Sequence, residues 1–398
     1  MKKFFSFVLV LIMLVSFAGM SMASTEGELL IWADDTRSPV LQDVKVRFQE
    51  TFGIDVEIQE LQLGDIRQNL GVAGPAGEGP DILIGQHDWL GELVANGLIE
   101  PISLGEKKDS FYPVTLEAFS WDGKLYAVPY TFESIGLIYN KEYISEAPET
   151  FVEFREIIEN TSNDETDTHG FVMPQPDPYH TFPFMSAKGG YVFANEDGVL
   201  NPLNIGLNND GAIEGLSYLD KLYEEDLVKF IDYQTMQSLF TSGQAAMMLS
   251  GPWIIPAVED AGIDYGFAML PTIDGETPKP FVGVSGMMIS SFSENKMLAK
   301  AFLSEFVATE DTMRKLYELG KRPPAFIPVG EEVSSDPVVA GVLNSAVNGT
   351  PMPSIPEMAA VWQAWSDALE VVLQQKQDPQ PAMDNAVQQI EDTIQEGQ

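Results

Sequence analysis

Cysteine is absent from the chain of 398 residues, and histidine occurs only three times. Without cysteine there are no disulfides, and there is no thiol to carry the N-terminal lipid that tethers many exported proteins. His87, His169 and His180 are not at metal-ligand spacing to one another, which argues against a zinc site. We therefore expect a protein without a metal, a cofactor or a lipid anchor.

Basic residues are also few, since 22 lysines and arginines stand against 60 aspartates and glutamates. The net charge at pH 7 is −38, and it becomes −40 if Lys2 and Lys3 are removed with a leader. Such a charge repels nucleic acid and anionic lipid, so neither is expected as a partner. It favours a neutral or cationic ligand, although solubility alone explains the same charge.

Long apolar runs are confined to the beginning of the chain. The run from Phe4 to Ala18 follows two lysines and precedes the small residues Ser21 and Ala23. This pattern predicts a signal peptide over residues 1–23 that is cleaved on export to the periplasm. No later stretch approaches the length that spans a bilayer.

The first part of the mature chain alternates strand and helix patterns. These are a strand at 29–32, a helix marked by Leu41, Val44, Phe48 and Phe52, a strand at 54–58, a helix at 66–72 and a buried strand at 81–84. The alternation predicts an α/β lobe with a largely parallel sheet. Ligands of such sheets lie beyond the carboxyl ends of strands, which places residues 34–37 and 85–89 at a cleft.

The stretch from Trp121 to Lys141 is the main basis for predicting that the chain forms two connected sheets. An Asp-Gly turn at 122–123 is followed by apolar strands at 125–129 and 135–139. The gap from 131 to 134 is too short for a helical crossover, so we expect the chain to pass there from one sheet to a neighbouring sheet, as at a hinge. Glu133 is the only charge in the gap. It is either a buried carboxylate that needs hydrogen-bond donors, which a ligand can supply, or an exposed turn residue.

Further elements follow in the second half. Thr150 and Glu153 form a capping box that opens a helix to about residue 160. Helices are also predicted at 210–225, 235–242 and 295–319, and strands at 245–249, 265–270 and 282–289. The loop at 271–280 is a candidate second crossing, and the proline-rich segment 351–356 is a stiff connector before two last helices.

Catalytic signatures are scarce. There is no Gly-x-Ser-x-Gly elbow, phosphate loop or dinucleotide fingerprint. A carboxylate pair such as Glu133 and Asp177 leaves a glycoside hydrolase or transferase open as an alternative. Polar and aromatic residues instead cluster at predicted loop ends: 87–89, 177–179, 232–233, 251–253, and Trp362 with Trp365. Each pyranose offers an apolar face to an aromatic ring and a rim of hydroxyls to donors and acceptors, so these clusters predict carbohydrate binding.

Seven sequence blocks resemble the maltose/maltodextrin-binding proteins of ABC sugar importers. They are GELLIW (27–32), GEGPDILIGQHDWLG (77–91), DGKLYAVPYTFESIGLIYNK (122–141), KGGYVF (188–193), SGPW (250–253), KPFVGV (279–284) and MPSIPEMAAVW (352–362). The resemblance extends in order over the mature chain. It implies an α/β, two-lobed periplasmic binding protein fold, with each lobe a mostly parallel sheet flanked by helices and the lobes joined by hinge crossings.

The resemblance also implies a function and a division of the chain. The expected lobes are 24–132 with 287–332, and 133–286 with 333–398. The expected function is that of a monomeric receptor without catalysis, which binds malto-oligosaccharides between its lobes and delivers them to the membrane permease of an ABC importer. A receptor for another sugar, such as trehalose or a β-linked oligosaccharide, is the alternative.

Site residues follow from the same resemblance by position. Glu133 is similar to the hydroxyl-binding glutamate of the family, and Asp88 to its hydrogen-bonding aspartate. Asp177, Pro178 and Tyr179 fall on a Glu-Pro-Tyr subsite. The expected aromatic and sulfur platforms are Tyr233, Trp253, Met352 and Trp362, and the expected polar loop contains Asp34, Thr36 and Arg37.

Departures from the family pattern bear on specificity. Gly85 stands where the family has a stacking tryptophan, Gln86 where it has alanine, and Trp89 where it has arginine. Gln363 replaces a tyrosine and Ser366 an arginine, and Trp365 is new. We hypothesise that Trp89 and Trp365 take over the lost contacts, which leaves a site for α-1,4-glucans that fits a trisaccharide better than maltose.

Overall fold

The computed structural model describes residues 27–196 and 199–396. The predicted signal peptide at 1–23 lies outside the described residues. Within the described ranges, no helix combines the length and the apolar character that are needed to cross a membrane.

Strands and helices alternate along most of the chain. The strands are β1 Glu28–Ala33, β2 Asp55–Glu60, β3 Ile82–Gln86, β4 Ile99–Glu100, β5 Ser120–Trp121, β6 Lys124–Leu125, β7 Ala127–Ser134, β8 Gly136–Asn140, β9 His169–Val172, β10 Tyr191–Glu196, β11 Val199–Gly206, β12 Ala245–Ser250, β13 Tyr265–Ala268, β14 Phe281–Ser290 and β15 Thr350–Pro351. The α-helices are α1 Ser38–Phe52, α2 Leu63–Ala73, α3 Leu90–Ala95, α4 Pro113–Ala118, α5 Phe151–Thr161, α6 Pro178–Ala187, α7 Asp210–Glu224, α8 Tyr233–Thr241, α9 Ile255–Asp260, α10 Lys296–Ala301, α11 Glu310–Gly320, α12 Ile327–Glu332, α13 Pro337–Asn348, α14 Val361–Leu373 and α15 Pro379–Glu396. Shorter turns are 3₁₀ helices at His87–Trp89, Gly105–Ser110, Pro252–Ile254 and Pro356–Ala360, and a π-helix at Phe302–Val307.

The first lobe is organised around a seven-stranded sheet. Its strands follow the order β15-β14-β3-β1-β2, and β4 and β7 also pair with β14. The pairs β1–β2 and β1–β3 are parallel, as the alternating pattern predicts, whereas β14 runs antiparallel to β3 and β7. Apolar side chains from α1, the sheet and the π-helix form the core of this lobe.

The second lobe contains a four-stranded sheet in the order β13-β8-β12-β9. Only β9 and β12 pair in parallel, while β8 is antiparallel to both β12 and β13. The expectation of a mostly parallel sheet therefore needs correction in this lobe. The physical reason is that β8 enters directly from the first lobe, so it runs opposite to strands that begin within the second lobe.

The crossing near Glu133 differs in detail from the prediction. The residues 131–134 are not a turn, because β7 continues through Ser134 and only Ile135, which is fully buried, separates it from β8. The chain still passes there from one sheet to the other. Glu133 is therefore a buried strand residue, and not an exposed turn residue.

Further segments connect the lobes. One is the link from α12, whose Val329 packs in the first-lobe core, to α13, whose Val338 and Val342 pack against the second-lobe sheet. The loop after β13 leads into β14 of the first sheet, and the segment after β15 leads into α14, which packs in the core of the second lobe. The boundary expected between 286 and 287 falls inside β14, which pairs with first-lobe strands from Val282 to Ile289. We propose that the chain returns to the first lobe at Phe281.

The observed helices differ from the sequence predictions in two places. The helix predicted at 295–319 is divided into α10, the π-helix and α11, because Thr309 adopts an extended conformation and its hydroxyl caps α11 by accepting from the Thr312 amide at 3.3 Å. The helix α6 has no predicted counterpart, since nearly all of its residues are buried and it lacks a polar face. The predicted capping box of Thr150 and Glu153 is present.

Candidate functional site

A cleft of about 960 Å³ separates the two lobes. This is at the upper end of the range of about 300–1,000 Å³ that is typical of ligand sites. The predicted site residues that line it are Asp34, Thr36, Arg37, Gln86, Asp88, Trp89, Glu133, Tyr179, Tyr233, Trp253, Met352 and Trp362. Asp177 and Trp365 are not part of its lining.

A hydrogen-bonded network around Glu133 occupies the first-lobe side of the cleft. Glu133 is 5% exposed, and its Oε2 accepts from Nε of Arg322 at 3.0 Å. Its Oε1 accepts from Nε2 of Gln86 at 3.3 Å and from the hydroxyl of Ser285 at 3.4 Å. The donor that a buried carboxylate requires is thus supplied by the protein, chiefly by an arginine that sequence analysis did not identify.

A second ion pair lies in the loop after β1. Arg37 is buried and pairs with Asp34, and its Nε donates to the hydroxyl of Tyr130 at 2.5 Å. Burial and the nearby charge of Arg37 lower the pKa of Arg322, and Glu133 opposes this shift. The two arginines and two carboxylates therefore form one coupled group of charges, which presents fixed donors and acceptors to the cleft.

Asp88 and Trp89 follow β3 at the carboxyl end of the sheet, where the sequence predicts them. A Cβ at Gly85 would lie 2.6 Å from a ring carbon of Trp89, so the indole occupies the space that any side chain at position 85 would need. The guanidinium of Arg67 lies 5.9 Å from the centre of the Trp89 ring, and its Nη1 is 3.5 Å from Glu92. Trp89 is 6% exposed and packs in a core cluster of the first lobe, so the hypothesis that it replaces the missing tryptophan stays a prediction.

Asp88 is itself 8% exposed, and its Oδ1 has no hydrogen-bond partner among the described residues. Burial raises the pKa of Asp88 to about 7, although the charge of Arg67 and the indole of Trp362 act in the opposite direction. An unpaired buried carboxylate oxygen that lines a cleft is a position at which a ligand hydroxyl can donate.

His87 connects this segment to the crossing that follows β15. Its Nδ1 accepts from the Val284 amide at 3.1 Å, so Nε2 carries the proton and donates to the carbonyl of Met352 at 3.0 Å. Burial lowers the pKa of His87 to about 4, which keeps the ring neutral at pH 7. The Gly91 amide also donates to the carbonyl of Ser354 at 2.9 Å. These bonds hold Met352 against the first lobe.

The second lobe contributes mainly aromatic rings to the cleft. Tyr179 and Trp253 lie 6.2 Å apart between ring centres, and Tyr233 and Trp362 pack on the same lobe. All four are partly exposed. The cleft therefore has a charged, hydrogen-bonding face on the first lobe and a predominantly aromatic face on the second.

Asp177 has a role that differs from the predicted sugar contact. Its side chain caps α6 by accepting from the His180 amide at 3.1 Å, and its Oδ2 is 3.1 Å from Nδ1 of the His180 ring. Burial would raise the pKa of Asp177, but the pair with His180 and the bonds from backbone amides hold it below its usual range. The carboxylate is therefore engaged at the start of α6 and is not part of the cleft lining.

Trp365 is corrected as well. It is fully buried, stacks on Trp362 with 6.5 Å between ring centres, and contacts Phe182 edge to face at 6.0 Å. It therefore supports Trp362 from within the core and cannot offer a ring to a ligand in this conformation. Ser366 donates to the carbonyl of Pro176 at 3.3 Å, and Gln363 is exposed and donates to Asp367.

Several cleft residues lie outside the sequence predictions. They are Pro39, Gln62, Leu63, Arg67, Gln234, Gln237, Ile254, Pro256, Ala257, Gly283, Leu319, Gly320 and Arg322. Leu63 and Arg67 are four residues apart on α2, and Gln234 and Gln237 are three apart on α8, so helical spacing was the available signal. Arg322 had no such signal, because its approach to Glu133 depends on a contact across 189 residues.

Two lobes, several crossings between them and a cleft with a polar and an aromatic face define a two-lobed solute-binding protein. The model of the bacterial extracellular solute-binding protein family matches residues 44–341, and the chain belongs to this family. The protein therefore acts outside the cytoplasm.

Individual relatives agree with this assignment. The chain is 34% identical to a maltotriose-binding protein of Pyrococcus abyssi, over 89% of this chain and 79% of that protein. It is 32% identical to a galactooligosaccharide-binding protein of Bacillus subtilis, over 92% and 89% of the two chains. A crystal structure of a cyclo/maltodextrin-binding protein complexed with maltotetraose matches with a TM-score of 0.78 at 32% identity, and covers 94% of this chain and 98% of that chain.

We predict that Asp88 makes stability depend on pH in an unusual direction. The pKa of Asp88 rises from 3.8 to about 7 on folding, so the folded protein binds this proton more tightly between those values and the contribution of Asp88 to stability falls as pH rises through that window. The free energy of unfolding of the wild type relative to Asp88→Asn should therefore fall by about 2–3 kcal/mol between pH 5 and pH 8. Urea unfolding at both pH values measures it, with the exposed Asp378→Asn as control. A pH-independent difference would contradict the assignment.

Substitution of Trp365 tests its place in the core. Trp365→Ala should lower the free energy of unfolding by about 3–5 kcal/mol, because it leaves a large cavity beside Phe182. Val347→Ala, at a valine that is 83% exposed, is the control and should have little effect. Urea unfolding followed by circular dichroism measures both, and a Trp365→Ala variant as stable as this control would show that the ring is not a core element.

Proposed function

We propose that the protein is an extracytoplasmic receptor that binds malto-oligosaccharides between its two lobes and delivers them to the membrane permease of an ABC importer. The observation that carries this proposal is the pairing of opposite chemistries across one cleft. Glu133 and Asp88 lie on the first-lobe side, and rings such as Trp253 lie on the second. A pyranose presents hydroxyls at its rim and an apolar face to a ring, so it matches both sides at once.

The mechanism is hinge closure. Only contacts that differ between the open and closed arrangements shift the balance between them, so the effective contacts are those in which one sugar touches both lobes. Asp88 of the first lobe and Trp362 of the second lobe are close enough to influence each other electrostatically. A sugar that bridges these residues and Glu133 favours the closed state, and the permease then recognises the loaded form.

The same proposal includes a location and the absence of a lipid anchor. We infer that the leader is cleaved and that the mature protein diffuses freely in the periplasm, as a monomer. The absence of cysteine supports this, since no thiol is available for a thioether-linked lipid. Fractionation of cells into soluble and membrane material, with mass spectrometry of the mature N terminus, tests it.

Catalysis is not part of the proposal. An acid and base pair must flank one glycosidic bond, whereas Glu133 lines the cleft and Asp177 is held at the start of α6. Glu133 also accepts hydrogen bonds from Arg322 and Gln86, which suits the role of an acceptor. Long incubation with maltotriose should release no new reducing ends, and measurable hydrolysis would restore the enzyme alternative.

Two substitutions test the site. Glu133→Gln removes a charge-assisted acceptor, and Trp253→Ala removes a stacking ring, so each should weaken maltotriose binding by about 1–3 kcal/mol. Isothermal titration calorimetry measures the loss, with the remote, exposed Val347→Ala as control. Wild-type affinity in both variants would refute this site.

A panel of sugars tests the ligand class. Maltose, maltotriose and maltotetraose should all quench or shift tryptophan fluorescence, because Trp89, Trp253 and Trp362 line the cleft, and the trisaccharide should bind more tightly than maltose. Trehalose and a β-linked galacto-oligosaccharide belong in the same panel, the latter because of the name of one relative. No response to the three maltodextrins, together with a response to either of the other sugars, would reassign the ligand.

A further inference from the structure

Two helix ends from different lobes meet beside the cleft. Helix α9 packs in the second lobe through the fully buried Val258, and helix α11 packs in the first-lobe core through Met313. The start of α9 and the end of α11 both line the cleft, at 256–257 and 319–320. A contact between these two helix ends is therefore a contact between the lobes.

An ion pair joins the two helix ends. Nζ of Lys321, the residue that follows α11, is 3.5 Å from Oε2 of Glu259 on α9. The other carboxylate oxygen of Glu259, Oε1, accepts from the hydroxyl of Tyr265 at 3.1 Å. Tyr265 lies on β13 of the second lobe. Glu259 is thus oriented by its own lobe and presents Oε2 to the other lobe.

The end of α11 is fixed next to the crossing that leads into α13. The hydroxyl of Tyr317 on α11 donates to Oδ2 of Asp336 at 2.7 Å, and Oδ1 of Asp336 caps α13 by accepting from the Val338 amide at 2.7 Å. The carbonyl of Tyr317 in turn accepts from the Lys321 amide at 2.7 Å. These bonds hold Lys321 at a defined position beside the second lobe.

The backbone of Lys321 indicates that its side chain has a role. Its φ is 54°, in the left-handed region where glycine is the usual residue at a helix end. A lysine in this conformation costs stability relative to glycine, and such a cost is found where a residue serves a function. The ion pair with Glu259 of the other lobe gives the side chain of Lys321 such a function.

We propose that Lys321 and Glu259 are positioning residues that favour closure of the lobes around the sugar without contacting the sugar. This inference rests on the proposed function. The pair forms only when the ends of α9 and α11 approach each other, so it stabilises the closed arrangement relative to the open one. Because it acts on the lobes alone, it raises the affinity for every bound sugar by the same factor.

The size of the effect and its salt dependence follow from exposure. The side chains of Lys321 and Glu259 are 28% and 43% exposed, and exposed ion pairs contribute little. Removal of the pair should therefore lower sugar affinity only about threefold. Salt screens exposed charges, so this contribution to the binding of an uncharged sugar should shrink at high salt.

Calorimetric titration of maltose and maltotriose at about 0.02 M and about 1 M NaCl tests the ion pair. Lys321→Glu places like charges together and should lower the affinity for both sugars about fivefold at low salt, and less at high salt. The charge-swapped variant Lys321→Glu/Glu259→Lys should return to within about twofold of the wild type. The matched control is Lys229→Gln, which breaks an exposed pair with Asp226 inside the second lobe and should change neither affinity.

Lys321→Gly separates an effect on closure from an effect on folding. Glycine relieves the left-handed backbone, so the urea midpoint of unfolding should stay the same or rise, while the affinity for both sugars should fall about threefold. A purely structural role of Lys321 would instead lower stability and affinity together. Urea unfolding of every other variant checks that the fold is retained.

The outcomes separate this inference from the proposed function. Unchanged affinity in Lys321→Glu, a charge-swapped variant that binds no more tightly than Lys321→Glu, or a loss confined to one of the two sugars would overturn the role of the ion pair. Each of these results would leave the receptor function standing, since the wild type still binds sugar. If the wild type binds neither sugar, the proposed function fails and this inference fails with it.

Discussion

The ion pair between Glu133 and Arg322 is the constraint on which the site depends. Glu133 lies at the end of β7, just before the chain leaves the first lobe, and Arg322 follows α11. Two buried charges are tolerated only when their hydrogen-bonding capacity is satisfied, which here also requires Gln86 of β3 and Ser285 of β14. Segments that are far apart in sequence are therefore fixed at one point, directly beneath the cleft.

The consequence of this arrangement is a division of chemistry between the lobes. The first lobe holds charges that are already oriented, so a ligand hydroxyl meets acceptors and donors without reorganising them. The second lobe holds rings that pack against one another and against Phe281, which enters from the crossing strand β14. A ligand that needs both kinds of contact is bound fully only when the lobes come together, and this is the basis of the proposed closure.

Sequence patterns predicted the elements with strong periodicity and the residues at strand ends. The strand β1, the helix α1 with its terminal Gly53, and the position of residues 87–89 directly after β3 follow from local rules that tertiary packing did not override. The resemblance to a family placed Tyr233, Trp253 and Trp362, which line the cleft as expected.

What sequence analysis missed depends on contacts between distant segments. Arg322 reaches Glu133 across 189 residues, and nothing local marks it. Asp177 and Trp365 have the residue types of a sugar site, yet one caps a helix and the other fills a core, because a carboxylate or an indole suits either environment and only packing decides between them. The helix α6, in which every residue but Tyr179 is buried, lacks the amphipathic pattern by which helices are recognised.

The measurement that tests the central claim most directly is small-angle X-ray scattering of the mature protein with and without saturating maltotriose. The account predicts a smaller radius of gyration with sugar in the wild type and a much weaker change at the same sugar concentration in Glu133→Gln. A wild-type radius that stays constant while calorimetry reports bound sugar would contradict closure of the two lobes around the ligand.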